Sequence, residues 1–107
     1  MFNFFGAKAG PDINQAAEEA ARDSSIRLFD VRTREEYMEG HIPGSVSLPL
    51  DRLDNIQALV LNKNEKIYVY CASGARSALA ASGIKRMGYS NVTNVGGMMS
   101  YRGAISR

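Results

Sequence analysis

The sequence predicts an α/β fold, in which a mainly parallel central sheet carries helices on both faces. Short runs of β-branched, aromatic and aliphatic residues alternate along the chain with stretches in which apolar residues recur at helical spacing. Such alternation is typical of parallel sheets whose strands are joined by right-handed helical crossovers. The 107 residues suit one domain with a single modest core, and no internal repeat or low-complexity segment interrupts the pattern.

The composition excludes several classes of function. Lysine and arginine are scattered along the chain and the formal charge is only +2, which argues against a nucleic-acid partner and is compatible with a small anionic substrate. The single cysteine excludes an internal disulfide, a CxxC redox pair and a cysteine-based zinc site, and the single histidine argues against a histidine-based metal site. We therefore expect no metal, and a reducing, cytoplasmic compartment.

The first ten residues are expected to form a flexible N-terminal segment, and residues 11–107 the folded domain. The apolar start is too short for a signal-peptide core and lacks the basic residues that precede one, and no stretch of the chain approaches transmembrane length. We therefore expect no membrane association. Asp12 is predicted to cap the first helix, in which apolar residues from Ile13 to Ala21 recur at helical spacing.

Two strands and a short helix are predicted next. Residues 26–31 form an apolar run that indicates a strand. Thr33 to Glu36 match a capping box, which begins a helix that Gly40 ends. Residues 41–45 are a cluster of turn formers, and residues 46–48 make a brief second strand. The carboxyl end of the first strand is therefore followed almost at once by a helix.

The second half of the chain continues the alternation of strands and helices. The predicted elements are, in order, a helix capped by Asp51 that runs to Val60, a strand at residues 67–70, a helix from Arg76 that Gly88 ends, a strand at residues 91–95, and a short helix that Gly96 and Gly97 open and that runs to about Ile105. Four strands are therefore expected in the sheet.

Cys71 lies between the third predicted strand and the following helix, a position that favours a thiolate. A helix N-terminus presents unpaired N–H groups and the positive end of the helix dipole. Arg76 adds a positive charge at the same mouth. The residues between them are too small to cover their own amides, namely Ala72, Ser73, Gly74 and Ala75. We predict a lowered pKa for Cys71 and a loop that holds an anionic group against the sulfur.

Three segments resemble the rhodanese family. The loop Cys71-Ala-Ser-Gly-Ala-Arg-Ser77 is similar to that family's active-site loop, Cys-x-x-Gly-x-Arg followed by a small residue. The block L-F-D-V-R-T-R-E-E-Y-M-E-G-H-I-P-G-S resembles its second signature, with Ser45 where the family usually has Ala. The closing segment V-G-G-M-M-S-Y resembles the family's Gly-Gly pair before an aromatic residue, with Tyr101 in place of the usual Trp.

The resemblance implies a sulfurtransferase of the rhodanese type. In that family the cysteine, here Cys71, takes a sulfane sulfur from a donor, holds it as a persulfide and passes it to a nucleophilic acceptor. The expected donor is a small, thiosulfate-like anion, and the expected acceptor is cyanide, a thiol or a protein cysteine. No metal or organic cofactor is implied, and we expect a monomer.

The resemblance also suggests roles for the residues around Cys71. The amides of residues 72–76 would bind the terminal sulfur, and the side chain of Arg76 would orient the donor. Arg32 is expected at the mouth of the site, because it lies at the carboxyl end of a strand, where ligands bind in open parallel sheets. Asp30 and Ser77 are expected to support the site through hydrogen bonds.

Two other functions stay open. One is a rhodanese-like sulfur carrier or regulatory interaction module with little turnover of its own. The other is a cysteine-dependent phosphatase or arsenate reductase, in which a wider loop surrounds a tetrahedral oxyanion. Loop size argues against this second alternative, because the arginine follows Cys71 by five positions and the wider loop would place it where Ser77 stands.

Overall fold

A computed structural model describes residues 10–107, which form a four-stranded parallel sheet flanked by helices. The strands are β1 (Arg27–Asp30), β2 (Val46–Ser47), β3 (Ile67–Cys71) and β4 (Val92–Gly97), and they lie in the order β2-β1-β3-β4. The α-helices are α1 (Ile13–Arg22), α2 (Arg34–Glu39), α3 (Ile56–Leu59) and α4 (Ala75–Arg86). Every strand pair is parallel, and the predicted α/β class is confirmed.

The predicted N-terminal segment lies almost wholly outside the described residues. Only Gly10 of its ten residues is described, with a φ angle of +90° and the side chain of Thr93 close by. The flexibility of this segment and the domain boundary at residue 11 therefore stay predictions. From residue 10 to residue 107, no helix has the length and apolar character needed to cross a membrane.

Strand β3 is central in the sheet and pairs with β1 and β4. All five of its residues are buried, as expected for a strand with a layer of structure on each face. Because the strands are parallel, their carboxyl ends share one edge of the sheet, which is where open α/β sheets bind ligands. The strands end there at Asp30, Ser47, Cys71 and Gly97, so the predicted nucleophile lies at this edge.

Two apolar clusters cover the two faces of the sheet. Successive side chains of β3 point to opposite faces, so Val69 and Tyr70 belong to different clusters. Ile56 of α3 and Ile84 of α4 pack with Val69, whereas Ile13 of α1 packs with Tyr70. Each such fully buried aliphatic side chain stabilises the fold by about 1.5–3 kcal/mol. This double layer holds β3, and with it Cys71, in place.

Ser45, which stands where the rhodanese family usually has Ala, has a partner in the core. Its hydroxyl lies 2.9 Å from the hydroxyl of Tyr70, which also accepts a hydrogen bond from the amide of Ile42 at 3.1 Å. Burial raises the pKa of Tyr70, so its ring stays neutral. The tyrosine thereby attaches the turn before β2 to the central strand.

The first two helices begin at the caps predicted from the sequence. Asp12 accepts hydrogen bonds from the amides of Asn14 and Gln15 at 3.0 and 2.9 Å. At α2, Thr33 and Glu36 form a reciprocal capping box, since Thr33 Oγ1 accepts from the Glu36 amide and Glu36 Oε1 accepts from the Thr33 amide. Both predicted starts are confirmed.

The prediction that Asp51 caps a third helix running to Val60 is wrong. The segment after Pro49 is a 3₁₀ helix, Leu50–Asn55, with no side-chain cap, and α3 spans only four residues. Leu50 and Leu53 both pack against the core, and the three-residue period of a 3₁₀ helix places them on one side. Arg52, at φ −129° and ψ 31°, interrupts the helical conformation.

The predicted last helix, from Gly96-Gly97 to Ile105, is also wrong. Gly96 and Gly97 end β4, and only Met98–Ser100 form a single 3₁₀ turn before the chain becomes extended at Tyr101. Backbone hydrogen bonds between His41 and Ser106, at 2.8 and 2.9 Å, hold the end of the chain instead. The Tyr101 hydroxyl donates to the Ala104 carbonyl at 2.6 Å and so has the partner that it needs.

Candidate active site

Cys71 ends β3 and is separated from α4 by the residues Ala72, Ser73 and Gly74. Gly74 adopts φ +103° and ψ −11°, the left-handed conformation that glycine reaches without strain, and turns the chain into the helix. Cys71 is fully buried, whereas Ser73 and Ala75 are exposed. The loop therefore covers the sulfur and presents its own outer side to solvent.

The sulfur faces hydrogen-bond donors from this loop and from the first turn of α4. The amides of Gly74 and Ser77 donate to Sγ at 3.0 and 3.4 Å, and Ser77 Oγ lies 3.3 Å from the same atom. Burial raises the pKa of Cys71, but the hydrogen-bond donors around its sulfur, which include the amides of Ser77, Gly74 and Ser73, outweigh this effect and the pKa is lowered overall. The direction agrees with the prediction from the sequence.

Three of the residues predicted to surround the anion, Ala72, Ser73 and Ala75, form hydrogen bonds that shape the loop. The amide of Ala75 donates to Ser73 Oγ at 3.4 Å, and the carbonyl of Ala72 accepts from the amide of Met99 at 3.1 Å. Ser77, by contrast, was expected only as a supporting residue. It contacts the sulfur with both its amide and its hydroxyl.

The end of β4 lies directly behind the loop. A Cβ atom at Gly97 would lie 2.2 Å from the carbonyl oxygen of Ala72, so only glycine allows the two backbones to approach this closely. The Met99–Ala72 hydrogen bond lies beside this contact. Gly97 therefore allows the end of β4 to pack closely against the loop at Ala72.

Arg76 forms a two-pronged ion pair with Glu36. The Nη1 and Nη2 groups of Arg76 donate to Glu36 Oε1 and Oε2 at 2.8 and 3.0 Å. The hydrogen bond from Arg76 lowers the pKa of Glu36 to about 2. Glu36 was predicted only as a capping residue, and it serves the cap and the arginine together. The positive charge at the mouth is therefore largely compensated in this structure.

Asp30 and Arg32 form a buried pair at the carboxyl end of β1. Arg32 Nη2 donates to Asp30 Oδ2 at 2.7 Å and to the Gly40 carbonyl at 2.6 Å, and Arg32 Nε lies 3.0 Å from Asp30 Oδ1. Burial alone would lower the pKa of Arg32, but the hydrogen bond and charge of Asp30 raise it. The pair links β1 to the end of α2, the helix that carries the partner of Arg76.

Asn94 is a site residue that the sequence did not indicate. Strand β4 has an irregularity here, since Asn94 pairs with Val69 and Gly96 with Tyr70. Asn94 Oδ1 lies 2.6 Å from Ser77 Oγ, and its Nδ2 donates to the Gly74 carbonyl at 3.1 Å. A signal was present in the chain, because asparagine is disfavoured inside strands and this one closely precedes a Gly-Gly pair.

An open cleft of about 880 Å³ lies beside the loop. Its lining carries charges of both signs, namely Arg34, Arg52 and Arg76 together with Glu35 and Asp51. Ser47, at the carboxyl end of β2, also lines the cleft, and its buried hydroxyl oxygen has no hydrogen-bond partner among the described residues. The cleft therefore offers charged and polar groups beside Arg76, in the first turn of α4.

Comparison with known proteins gives a consistent result. Residues 13–104 match the family model of the rhodanese-like domain. The chain is 41% identical over 91 residues to YrkF of Bacillus subtilis, provisionally named a sulfur carrier protein, covering 83% of this chain and 49% of YrkF. It is 37% identical over 71 residues to the thiosulfate sulfurtransferase PspE of Escherichia coli K12, covering 65% of this chain and 68% of PspE.

Some of these relatives are longer than this chain. The chain spans about half of YrkF, and it spans 23% of the adenylyltransferase and sulfurtransferase uba4 of Ogataea parapolymorpha, to which it is 34% identical over 91 residues, or 84% of this chain. The same kind of domain therefore occurs within larger proteins.

The solved structure of an E. coli rhodanese with anions has a TM-score of 0.72 and 31% identity to this chain, covering 77% of this chain and 98% of that one. The names of the relatives support sulfur transfer as the activity at the level of the family. With the parallel sheet, the cysteine loop at its carboxyl edge and the match over residues 13–104, the chain belongs to the rhodanese-like domain family.

Proposed function

We propose that the protein is a sulfurtransferase that moves a sulfane sulfur from an anionic, thiosulfate-like donor to a nucleophilic acceptor through a persulfide on Cys71. The observation that carries this proposal is the buried sulfur at the carboxyl edge of the sheet, which faces the amides of Gly74 and Ser77. These amide donors and the lowered pKa of Cys71 suit a thiolate that acts as the nucleophile and then holds the transferred sulfur as a persulfide anion.

The proposed reaction has two halves. The Cys71 thiolate attacks the outer sulfur of thiosulfate, a new S–S bond forms, and the S–S bond of the donor breaks with its electron pair leaving on sulfite. The negative charge then lies on the terminal sulfur of the persulfide. The acceptor attacks that sulfur, and cyanide for example leaves as thiocyanate while Cys71 returns as the thiolate.

The loop and Arg76 would bind the charged groups of this reaction. We assign the terminal sulfur to the amides of residues 72–76 and the donor oxygens to Arg76. Arginine has five N–H donors and Glu36 occupies two of them, so a donor can bind without breaking the ion pair. A compensated arginine should recognise the donor mainly through directed hydrogen bonds.

Arg32 and Asp30 have a supporting role in the proposed site. Their buried pair links β1 to Gly40, at the end of α2, and so positions Glu36 and Arg76. Direct contact between Arg32 and the donor remains a prediction. In this structure its guanidinium bonds to Asp30 and Gly40, and only 8% of the residue is exposed.

The cleft beside Arg76 is the place that we propose for the acceptor. Its lining carries charges of both signs, which suit an acceptor thiol that has carboxylate and amino groups or a protein cysteine on a charged surface. Cyanide would serve as a small acceptor in vitro. We further propose that the protein acts as a monomer in the cytoplasm, where a lone cysteine stays reduced.

A sulfur carrier with little turnover is the second candidate, and the 41% identity to YrkF favours it. A carrier and an enzyme would both form a persulfide on Cys71, and they would differ in how that persulfide is discharged. A carrier would release sulfur to a protein partner and only slowly to cyanide. A phosphatase is disfavoured, since its wider loop would have the arginine at position 77, where this chain has Ser77 in contact with the sulfur.

Trapping the intermediate tests the proposal. The protein is incubated with excess thiosulfate, the donor is removed, and the intact mass is measured. We expect a species heavier by one sulfur atom that cyanide or a small thiol reverses, and no such species in Cys71→Ser. A protein whose mass never changes, while its cysteine remains reactive toward iodoacetamide, would contradict the proposal.

A further inference from the structure

Asn94 contacts three groups around Cys71 and has no part in the reaction described above. Its Nδ2 donates to the Gly74 carbonyl at 3.1 Å, and its Oδ1 accepts from the Gly96 amide at 3.1 Å. The same Oδ1 lies 2.6 Å from Ser77 Oγ, the hydroxyl that also faces the sulfur. The hydroxyl of Ser77 is therefore within hydrogen-bonding distance of both Asn94 and the sulfur of Cys71.

The orientation of the Asn94 amide follows from its two backbone partners. The Gly96 N–H group can only donate and the Gly74 carbonyl can only accept, so Oδ1 must face the first and Nδ2 the second. A flipped amide would bring two donors together at Gly96 and two acceptors together at Gly74. The atom next to Ser77 Oγ is therefore an oxygen that carries no hydrogen.

This orientation fixes the direction of the Ser77 hydroxyl. Two oxygens 2.6 Å apart repel unless a hydrogen lies between them, and only Ser77 can supply it. A hydroxyl has a single hydrogen, so the same group cannot also donate to Sγ at 3.3 Å or to the carbonyls of Gly74 and Gly96 at 3.1 and 3.4 Å. The side of Ser77 Oγ that faces the sulfur is then a lone pair.

We propose that Asn94 is a positioning residue that draws the hydroxyl proton of Ser77 away from the sulfur of Cys71 and so keeps the thiolate nucleophilic. With the proton held by Asn94, backbone amides are left as the direct donors to Sγ, among them those of Gly74 and Ser77. The Ser77 hydroxyl as a further donor would stabilise the thiolate more but weaken its attack, because the nucleophilicity of a thiolate falls with its pKa.

A cycle of four proteins tests this inference, namely the wild type, Asn94→Ala, Ser77→Ala and the double variant. The rate of iodoacetamide alkylation against pH gives the pKa of Cys71, the sole cysteine of the chain. When Asn94 is present, Ser77→Ala should change the pKa of Cys71 little. In Asn94→Ala the short 2.6 Å acceptor is gone, and among the remaining acceptors at 3.1 to 3.4 Å the charged thiolate outcompetes the neutral carbonyls. Ser77→Ala should then raise the pKa of Cys71 by about one unit.

The cycle separates the inference from a loosening of the loop. Both proteins that lack Asn94 also lack its bond to Gly74, so the effect of that loss cancels when they are compared. A second readout is the alkylation rate at a pH where the thiol is fully ionised. It should be about threefold lower in Asn94→Ala than in the wild type, as expected for a thiolate whose pKa has fallen by about one unit.

Equal effects of Ser77→Ala in the two backgrounds would overturn the inference, because they would show that Asn94 does not compete for the proton. Circular dichroism establishes that each variant is folded. If Asn94→Ala does not fold, Asn94→Val carries the same cycle, since a β-branched side chain suits a strand. The inference concerns the site of the proposed function, but alkylation requires no sulfur donor, so the failure of one can be told from the failure of the other.

Discussion

At the scale of single residues, the pair of Arg76 and Glu36 decides how much positive charge a donor meets. Arg76→Ala should raise the KM for thiosulfate several-fold and change the alkylation rate of Cys71 much less, because the amides of Gly74 and Ser77 remain. Arg76→Lys should restore only part of the loss, since lysine lacks the planar fork that holds two oxygens. Initial rates with thiosulfate and cyanide, compared with alkylation rates, measure both effects.

The matched control for Arg76→Ala is Glu36→Gln, which removes the compensating charge and leaves the arginine in place. We expect a lower KM for thiosulfate in this variant, and the difference from the wild type should shrink as salt is added. If neither variant alters the KM for thiosulfate, Arg76 serves only to join the loop to α2.

The same pair predicts a small dependence of stability on acid. The pKa of Glu36 is lowered to about 2 from its ordinary 4.5, chiefly by the hydrogen bond from Arg76. Its contribution is therefore present above about pH 4.5 and is lost as the pH falls toward 2. Because about a third of each side chain is exposed, we expect the ion pair to contribute under about 1 kcal/mol to the free energy of unfolding. Urea unfolding at several pH values should show this loss in the wild type and not in Glu36→Gln.

The residues of the site differ in how far the sequence could indicate them. The positions of Cys71, Gly74 and Arg76 follow from local pattern, since a strand end, a small-residue turn and a helix start are adjacent in the chain. The contacts of Glu36 and Asn94 depend on pairs 40 and 17 residues apart. Such contacts arise from the way in which α2 and the irregular strand β4 approach the loop, which no local pattern encodes.

At the scale of elements, the contact between β4 and the loop controls the position of the donor amides. Gly97→Ala would place a Cβ atom 2.2 Å from the Ala72 carbonyl oxygen, so the loop must move. We expect a loss of about 1–3 kcal/mol in the free energy of unfolding and a higher pKa of Cys71, because the Gly74 amide would move away from the sulfur. Urea unfolding and the pH profile of alkylation measure the two effects.

Gly74 and Gly44 provide a matched comparison for the turn itself. Both have positive φ angles, +103° and +85°, and an added Cβ would meet only an ordinary contact at Gly74 and no atom within 4 Å at Gly44. Changing either glycine to Ala should lower the free energy of unfolding by about 1–2 kcal/mol through backbone strain. Only Gly74→Ala should also alter the alkylation of Cys71. If Gly44→Ala alters it equally, the effect is one of general stability.

The elements that were predicted wrongly share a physical cause. Leu50 and Leu53 are spaced equally well for an α-helix or a 3₁₀ helix, and packing on the core selects the second. Apolar residues after Met98 show some helical spacing, but Ser106 in this segment forms backbone hydrogen bonds with His41 and no α-helix forms. The strands and the capped helices α1 and α2 carry their own local signals, and these predictions were confirmed.

At the scale of the whole molecule, a chain with one cysteine has no internal route for discharging a persulfide. Donor product must leave before the acceptor arrives, so steady-state kinetics with thiosulfate and cyanide should be ping-pong, with parallel double-reciprocal lines. Intersecting lines, with no species heavier by one sulfur, would mean that the sulfur passes directly from donor to acceptor and that Cys71 only positions them.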